Sequence, residues 1–264
     1  MIKEDIIDEI ERFSARHQGQ SRTQTRRRTP LVGFASAEDT LFKELKKAVS
    51  PTHALPAELL PGAGTVVAYF LPFEEFIVHS NCAGRLASRE WAQAYVETNV
   101  LIKKINFHMK DYLESQGYAV LVMPPTHNFD PHNLISDWSH RHVAFVAGLG
   151  RFGLNNMLIT ESGCCGRIGS FITSLTVMPD PLPKVEACLY HYNASCTQCL
   201  TRCVNEALFE DEFSRHKCYQ MCRINEAKYR SLGRADVCGK CLVDVPCSLA
   251  DPVKKLRLTT EHEI

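Results

Sequence analysis

The stretch from Cys188 to Cys247 constrains this chain more than any other, because it contains nine of the twelve cysteines. With Cys222 set aside, the remaining eight make two sets of four, which is the number of thiolates that two [4Fe–4S] clusters need. These eight are Cys188, Cys196, Cys199, Cys203, Cys218, Cys238, Cys241 and Cys247. We therefore predict that this stretch is a ferredoxin-like module that binds two iron–sulfur clusters.

The spacing inside this stretch supports the prediction. Cys196, Cys199 and Cys203 repeat the last three cysteines of the bacterial ferredoxin motif. Asn193 stands where the first cysteine of that motif would be. Cys188, a short loop upstream, is predicted to replace the missing ligand.

Two other uses of these cysteines are weaker. A disulfide framework suits secreted proteins, and the amphipathic, acidic N-terminal segment does not resemble a secretion signal. A four-cysteine zinc site is the stronger alternative, because Cys196-x2-Cys199 and Cys238-x2-Cys241 would suffice for it. Zinc at these two pairs would leave the other four cysteines of the module unexplained.

Composition limits the partners and the compartment. Thirty basic residues balance thirty acidic ones, so no overall positive charge favours nucleic acid or an anionic membrane. No apolar run approaches the roughly 20 residues that span a bilayer. We expect a cytoplasmic protein whose thiols are kept reduced for metal binding.

Apolar patterning predicts the fold of the remaining chain. Residues 65–73 and 118–125 are predicted buried strands, and the first is apolar almost throughout, as in parallel sheets covered by helices. Residues 85–116 between them have helical spacing, and shorter helices are predicted from Ser36 and Asp137. This order predicts an α/β (α+β) sandwich with a mixed or parallel central sheet. We place this domain at residues 1–184, the cysteine module at residues 185–250 and a tail at residues 251–264.

The segment from Gly148 to Gly153 matches the G-x-G-x-x-G pattern of dinucleotide-binding proteins. In those proteins the glycines follow a strand and open a helix. Here the preceding residues are helical by pattern, so a dinucleotide site is disfavoured. Two interpretations remain: the glycines contact a ligand through their backbone, or they form a close-packed helix-to-strand turn.

Taken together, residues 147–160, residues 166–173 and the cysteine module resemble the epoxyqueuosine reductase family, whose members are cobalamin-dependent iron–sulfur enzymes related to the reductive dehalogenases. The resemblance covers roughly residues 30–250 and is clearest from Arg141 onward. It is closest to a short branch of the family. Longer members carry a C-terminal helical repeat region that helps to bind tRNA, and this chain stops soon after Cys247. The short length and the zero net charge of the chain together argue against tRNA as the substrate.

The resemblance implies specific ligands. In the family, cluster ligation crosses over between the two half-motifs. This assigns one cluster to Cys188, Cys196, Cys199 and Cys247, and the other to Cys203, Cys218, Cys238 and Cys241. Cys222, four residues after Cys218 on a predicted helix, is a reserve ligand. The family's glycine turn and the strands after it hold the corrin ring, which implies corrinoid contacts at Gly148, Leu149, Gly150, Phe152, Gly153 and Asn155.

The family also uses an acidic proton donor upstream of its glycine turn. Leu134 falls near that point, so we predict Asp137 as the donor and His140 as the second candidate. A plain helix N-cap is the alternative role for Asp137. His127, His132 and His142 are further candidates for cobalt or substrate contacts, and polar loop or surface histidines are the alternative.

These observations lead to a principal hypothesis and two alternatives. In the first, the protein is a reductase that passes electrons through two [4Fe–4S] clusters to a bound cobalamin, which reduces a small-molecule or corrinoid substrate. In the second, it is a ferredoxin-like electron-transfer or corrinoid-reducing partner protein without substrate turnover of its own. In the third, it binds clusters but no corrinoid. The first requires an external electron donor of the ferredoxin or flavodoxin type.

Overall fold

A four-stranded antiparallel sheet lies at the centre of the protein, whose computed structural model describes residues 3–20 and 23–262. In chain order the strands are β1 (Leu31–Ser36), β2 (Thr65–Pro72), β3 (Val120–Val122), β4 (Phe129–Asp130), β5 (Ile135–Ser136), β6 (Arg151–Phe152), β7 (Leu158–Ile159) and β8 (Gly166–Thr173). The central sheet has the order β1-β2-β8-β3, while β4 pairs with β5 and β6 pairs with β7. The mixed α/β architecture predicted from the sequence is confirmed.

Helices cover both faces of this sheet. They are α1 (Lys3–Gln20), α2 (Leu41–Ala48), α3 (Pro56–Leu59), α4 (Glu75–Ser80), α5 (Arg89–Glu114), α6 (His140–Val146), α7 (Leu189–Asn193), α8 (Gln198–Thr201), α9 (Arg215–Lys228) and α10 (Pro252–His262). Successive side chains of a strand point to opposite faces. Accordingly Val66, Ala68 and Phe70 share a core with α2 and α6, whereas Val67 and Leu71 share one with α1 and α5.

The expectation of a mixed or parallel central sheet is wrong. Every pairing within it is antiparallel, with Thr65 opposite both Ser36 and Thr173. The apolar run of β2 reflects burial on both faces, and its residues are buried along the whole strand. Helices can bury an antiparallel strand in the same way, so the run does not determine strand direction.

Two helices begin later than the sequence predicts. Ser36 ends β1, and a turn separates it from the start of α2 at Leu41. The predicted start of α6 at Asp137 is displaced to His140 because the preceding residues bond to the loop at residues 50–54. The Asp137 carbonyl accepts a hydrogen bond from the Ala54 amide at 2.9 Å, and the Ser139 amide donates to His53 Nε2 at 3.2 Å.

The cysteine module is packed onto the α/β domain through a shared core. Phe73 and Trp91 from the domain belong to the same buried cluster as Leu242 and Val243 from the module. Buried Lys240 adds two hydrogen bonds, each 2.7 Å, from its Nζ to the carbonyl oxygens of residues 81 and 83. One continuous core therefore crosses the boundary predicted at residue 184.

Arg28 connects the N-terminal loop to both parts of the protein. Its guanidinium donates to the carbonyl oxygens of Phe73 (3.2 Å), Leu249 (3.1 Å) and Ser162 (2.6 Å). We expect Arg28→Ala to lower the free energy of unfolding by about 2–3 kcal/mol, because three half-buried carbonyls lose a charged donor. Chemical denaturation should measure this loss. The neighbouring Arg26 is exposed and donates only to the Gln18 carbonyl, so an equal loss in Arg26→Ala would contradict the explanation.

Candidate functional site

Four thiols line a small first cavity, here called the first thiol cavity. They are Cys188, Cys196, Cys199 and Cys247. Burial, together with the nearby Cys247, Cys188 and Cys196, raises the pKa of Cys199 to about 12. The short helices α7 and α8 place the first three thiols together, and the chain after the turn at residues 240–242 returns to add Cys247.

The position of Cys247 is fixed by the strand that leads into β8. The Cys164 amide donates to the Cys247 carbonyl at 2.9 Å, and the Cys165 amide donates to the Ser248 carbonyl at 3.2 Å. Both thiols of this adjacent pair are fully buried. They therefore pack at the base of the module.

Five further thiols line a second and larger cavity of about 360 Å³, here called the second thiol cavity. They are Cys203, Cys218, Cys222, Cys238 and Cys241. Burial raises the pKa of Cys241, and Cys218, Cys238 and Cys203 raise it further. Cys222 lies one helical turn after Cys218 on α9, and the neighbouring Cys218 thiol raises the pKa of Cys222.

This grouping bears on the zinc alternative. A single zinc site would need the pairs Cys196–Cys199 and Cys238–Cys241 around one ion. In the structure each pair lines a different cavity, the first pair with two other cysteines and the second with three. Across residues 3–20 and 23–262, no three His, Cys, Asp or Glu side chains are arranged to bind one metal ion. The donor sets, one of four thiols and one of five, each contain the four thiolates that a four-iron cluster needs.

The second thiol cavity adjoins another large cavity of about 380 Å³, here called the histidine cavity because His127, His140 and His142 line it. The two cavities share eight wall residues, which are Thr126, Phe129, Leu134, Arg141, Met157, Gly166, Arg167 and Arg215. Each volume falls within the roughly 300–1000 Å³ of a site for a drug-sized ligand. Together the two cavities form a joined space beside the second group of thiols.

The glycine turn that follows α6 serves packing within the protein. Gly148 has a positive φ of 77°, and a Cβ added to it would lie 2.7 Å from the Pro181 carbonyl oxygen. A Cβ on Gly150 would lie 2.2 Å from the Ile159 carbonyl oxygen, and one on Gly153 would lie 2.8 Å from Ile159 Cδ1. Of the two interpretations of this motif, the geometry favours the close-packed helix-to-strand turn.

The structure does not bring the six predicted corrinoid contacts together. Gly148, Leu149 and Gly150 border a separate cavity beside β1. Phe152 packs against His142, with ring centroids 4.7 Å apart. Gly153 lines the first thiol cavity, and Asn155 lines both thiol cavities. Of the six, Asn155 is the one that borders a large cavity.

Asp137 lies outside the cavities described here. Its carboxylate accepts hydrogen bonds from Thr52 Oγ1 at 2.6 Å and Ser50 Oγ at 3.3 Å, and its side chain is exposed. Ser139, and not Asp137, occupies the N-cap position of α6. Asp137 therefore secures the loop at residues 50–54 against the start of α6.

His140 lines the histidine cavity but already has hydrogen-bond partners at both ring nitrogens. Nδ1 is 2.8 Å from Ser170 Oγ, and Nε2 is 2.7 Å from the Pro124 carbonyl oxygen. Trp138 Nε1 donates to the same Ser170 oxygen at 3.0 Å. The Pro124 carbonyl can only accept, so Nε2 carries a proton. Burial lowers the pKa of His140 to about 4, so the imidazole is neutral at pH 7 and Nδ1 accepts from the Ser170 hydroxyl.

A buried acid that the sequence analysis missed lies between the two large cavities. Asp236 has a side chain that is 3% exposed. Its carboxylate accepts from Tyr95 Oη at 2.8 Å and is 3.0 Å from His127 Nε2. Burial raises the pKa of Tyr95, and Arg167 lies over its ring at 4.5 Å. In the sequence, the only feature that draws attention to Asp236 is its position two residues before Cys238. That position does not predict its hydrogen bond with Tyr95 of α5.

Fold and site together define a mixed α/β protein with a cysteine-rich module joined to one end of its sheet. Solved structures with a similar fold include epoxyqueuosine reductases. One from Bacillus subtilis has a TM-score of 0.58 and 19% identity, covering 92% of this chain and 66% of that chain. One from Streptococcus thermophilus has a TM-score of 0.56 and 16% identity, covering 91% and 68%. A third, with an epoxyqueuosine-modified tRNA-Tyr stem loop, has a TM-score of 0.57 and 19% identity, covering 94% and 63%.

The resemblance predicted from the sequence is thus confirmed for the fold. This chain spans about two thirds of the length of these reductases. No family model and no curated protein matches it in sequence. Among the described residues, no helix is long and apolar enough to cross a membrane.

Proposed function

We propose that this chain is an iron–sulfur and cobalamin-dependent reductase of the epoxyqueuosine reductase kind. The observation that carries the proposal is the division of the module's cysteines into a group of four and a group of five, each sufficient for one [4Fe–4S] cluster, with the second group lining a large cavity. When bound, the clusters supply electron transfer and the corrinoid supplies reduction of an organic substrate. The reductase fold of the structural neighbours supports the same class of chemistry.

In this proposal the cysteine thiolates hold the clusters, and neighbouring amides stabilise the sulfur atoms. The Ala207 amide donates to Cys203 Sγ at 3.3 Å. Asn155 Nδ2 is 3.9 Å from Cys247 Sγ, at the junction of the two thiol cavities. Hydrogen bonds to sulfur raise the reduction potential of such clusters, so these two donors would tune electron transfer. An external ferredoxin or flavodoxin remains the proposed electron donor.

The joined large cavities are the proposed corrinoid and substrate site. Asn155 is retained there as a proposed contact, whereas Gly148, Leu149 and Gly150 position α6 and the hairpin of β6 and β7. Neutral His140 holds the cavity wall through Ser170 and the Pro124 carbonyl. His127, oriented by Asp236, replaces Asp137 as the side chain best placed to hold a proton at the cavity.

The alternative is a two-cluster electron carrier without substrate turnover. The exposed position of Asp137, away from the cavities, favours this alternative because the predicted proton donor is not at the site. The two large cavities favour the reductase, since an electron carrier has no need for them. Cofactor binding distinguishes the two functions.

The test is anaerobic purification followed by iron, sulfide and cobalt analysis, with and without added hydroxocobalamin. The reductase is expected to contain about eight irons, the content of two [4Fe–4S] clusters, and one cobalt per chain. The same iron content without cobalt uptake would leave the electron carrier. Zinc in place of iron would overturn both functions.

A further inference from the structure

Three arginines converge on the wall shared by the second thiol cavity and the histidine cavity. Arg141 comes from α6, Arg167 from β8 and Arg215 from the first turn of α9. Arg167 and Arg215 lie close enough to Arg141 for their charges to lower its pKa, after the larger effect of burial. Three like charges from three distant segments of the chain therefore meet at one cavity wall.

These guanidiniums keep donors that the protein itself does not use. Arg141 bonds through Nη1 to the Asn156 carbonyl at 2.5 Å, and Arg167 bonds through Nε to Asn99 Oδ1 at 3.1 Å. The guanidinium of Arg215 is exposed to the cavity and makes no hydrogen bond within the described residues. Each of the three therefore retains nitrogen donors for a ligand, and a planar guanidinium suits the two oxygens of a carboxylate or phosphate.

The nearby carboxylates do not pair directly with these three charges. In the described part of the chain, none of the three arginines forms an ion pair with a carboxylate. The carboxylate that lines the second thiol cavity, Asp236, is engaged by Tyr95 and His127. The first turn of α9 carries basic residues and no acidic one, although a helix N-terminus ordinarily favours negative charge. Its dipole adds to the same positive field.

We propose that Arg141, Arg167 and Arg215 form an oxyanion-binding site that takes the carboxylate or phosphate group of a small-molecule substrate. The aromatic side chains of Phe129 and Tyr219, packed edge to face at 5.7 Å, line the same second thiol cavity and would contact the apolar part of that molecule. This inference rests on the proposed function for its meaning as a substrate site. The binding of the anion depends only on the three arginines.

The competing role for these arginines is to balance the negative charge of a cluster bound by Cys218. That role predicts an effect on the reduction potential of the cluster and none on anion binding. Arg215→Gln separates the two, because Arg215 has no hydrogen bond whose loss would disturb the fold. Arg167→Lys keeps the charge but removes the planar pair of donors.

The test is calorimetric titration of the anaerobically purified, cluster-containing chain with inorganic phosphate and, separately, with benzoate. We expect at least one probe to bind, and Arg215→Gln to weaken that binding about tenfold, as the loss of a charge-assisted hydrogen bond implies. Arg167→Lys should weaken it as well. Arg16→Gln, on the exposed side of α1, is the control and should bind like the wild type. Preference between the probes identifies the anionic group.

Two results would overturn the site. The first is a wild-type protein that binds neither probe. The second is wild-type affinity in Arg215→Gln, with or without a shift in cluster potential. A protein that takes up no cobalt but still binds a probe through Arg215 would overturn the proposed cofactor and leave the oxyanion site standing.

Discussion

Cys199→Ala is expected to halve the iron content, from about eight to about four atoms per chain, because it removes one ligand of one [4Fe–4S] cluster. Cys199 is buried and has the other three thiols of its cavity as neighbours. Cys238→Ala should also leave about four irons, those of the other cluster. Iron and sulfide analysis together with electron paramagnetic resonance of the reduced protein would show which cluster remains.

Cys82→Ala is the matched control for this experiment, since Cys82 is half-buried and contacts the Val78 carbonyl instead of another thiol. It should retain all the iron. Full iron content in Cys199→Ala would contradict the assignment of that ligand. The same method resolves the ambiguity on α9: Cys222→Ala should retain both clusters, and Cys218→Ala should lose one. The reverse result would make Cys222 the ligand.

Asp236→Ala is expected to lower the melting temperature of the protein by about 6–12 °C. The Tyr95 hydroxyl and the His127 imidazole would lose a common buried acceptor, a loss of about 3 kcal/mol, and a chain of this size loses roughly 2–4 °C per kcal/mol. Asp236→Asn should cost less, because its amide oxygen can still accept from Tyr95. Melting is followed by circular dichroism under anaerobic conditions.

Asp211→Ala provides the control for this substitution, since Asp211 is exposed in the same module. It should melt at the wild-type temperature. If Asp236→Ala melted there too, the contacts of Asp236 would not stabilise the fold, and its role in orienting His127 would lose its support.

The sequence was sufficient for the features that depend on local spacing. Cysteine spacing predicted a two-cluster module, which stays a prediction. The family resemblance predicted which cysteines belong together, and each predicted set lines one cavity, with Cys222 added to the second. The direction of the strands could not be predicted from the sequence in this way. The run of apolar residues in β2 indicates that the strand is buried. Its antiparallel pairing with β8 depends on how the intervening helices pack.

Side-chain positions in the candidate site depended on contacts that no local pattern encodes. Asp137 is of a residue type that often caps helices. In the structure, hydrogen bonds with Thr52 and Ala54 hold it in the loop before α6. Asp236 has no motif of its own and becomes a buried acceptor only because α5 brings Tyr95 to it. The glycines of the turn were identified correctly as positions of close approach, and the atoms that approach them belong to Pro181 and Ile159.

The strand order also affects how the chain folds while the ribosome is still synthesising it. β2 acquires one neighbour, β1, from the segment just before it, but its other neighbour, β8, is made about a hundred residues later. At roughly 5–20 residues per second on the ribosome, that edge of β2 waits about 5–20 s for its partner. During this interval an apolar strand exposes unpaired amide and carbonyl groups, the kind of edge on which separate chains associate. The nascent protein is therefore most prone to aggregation before Gly166 has emerged, and the thiol cavities can form only after that point.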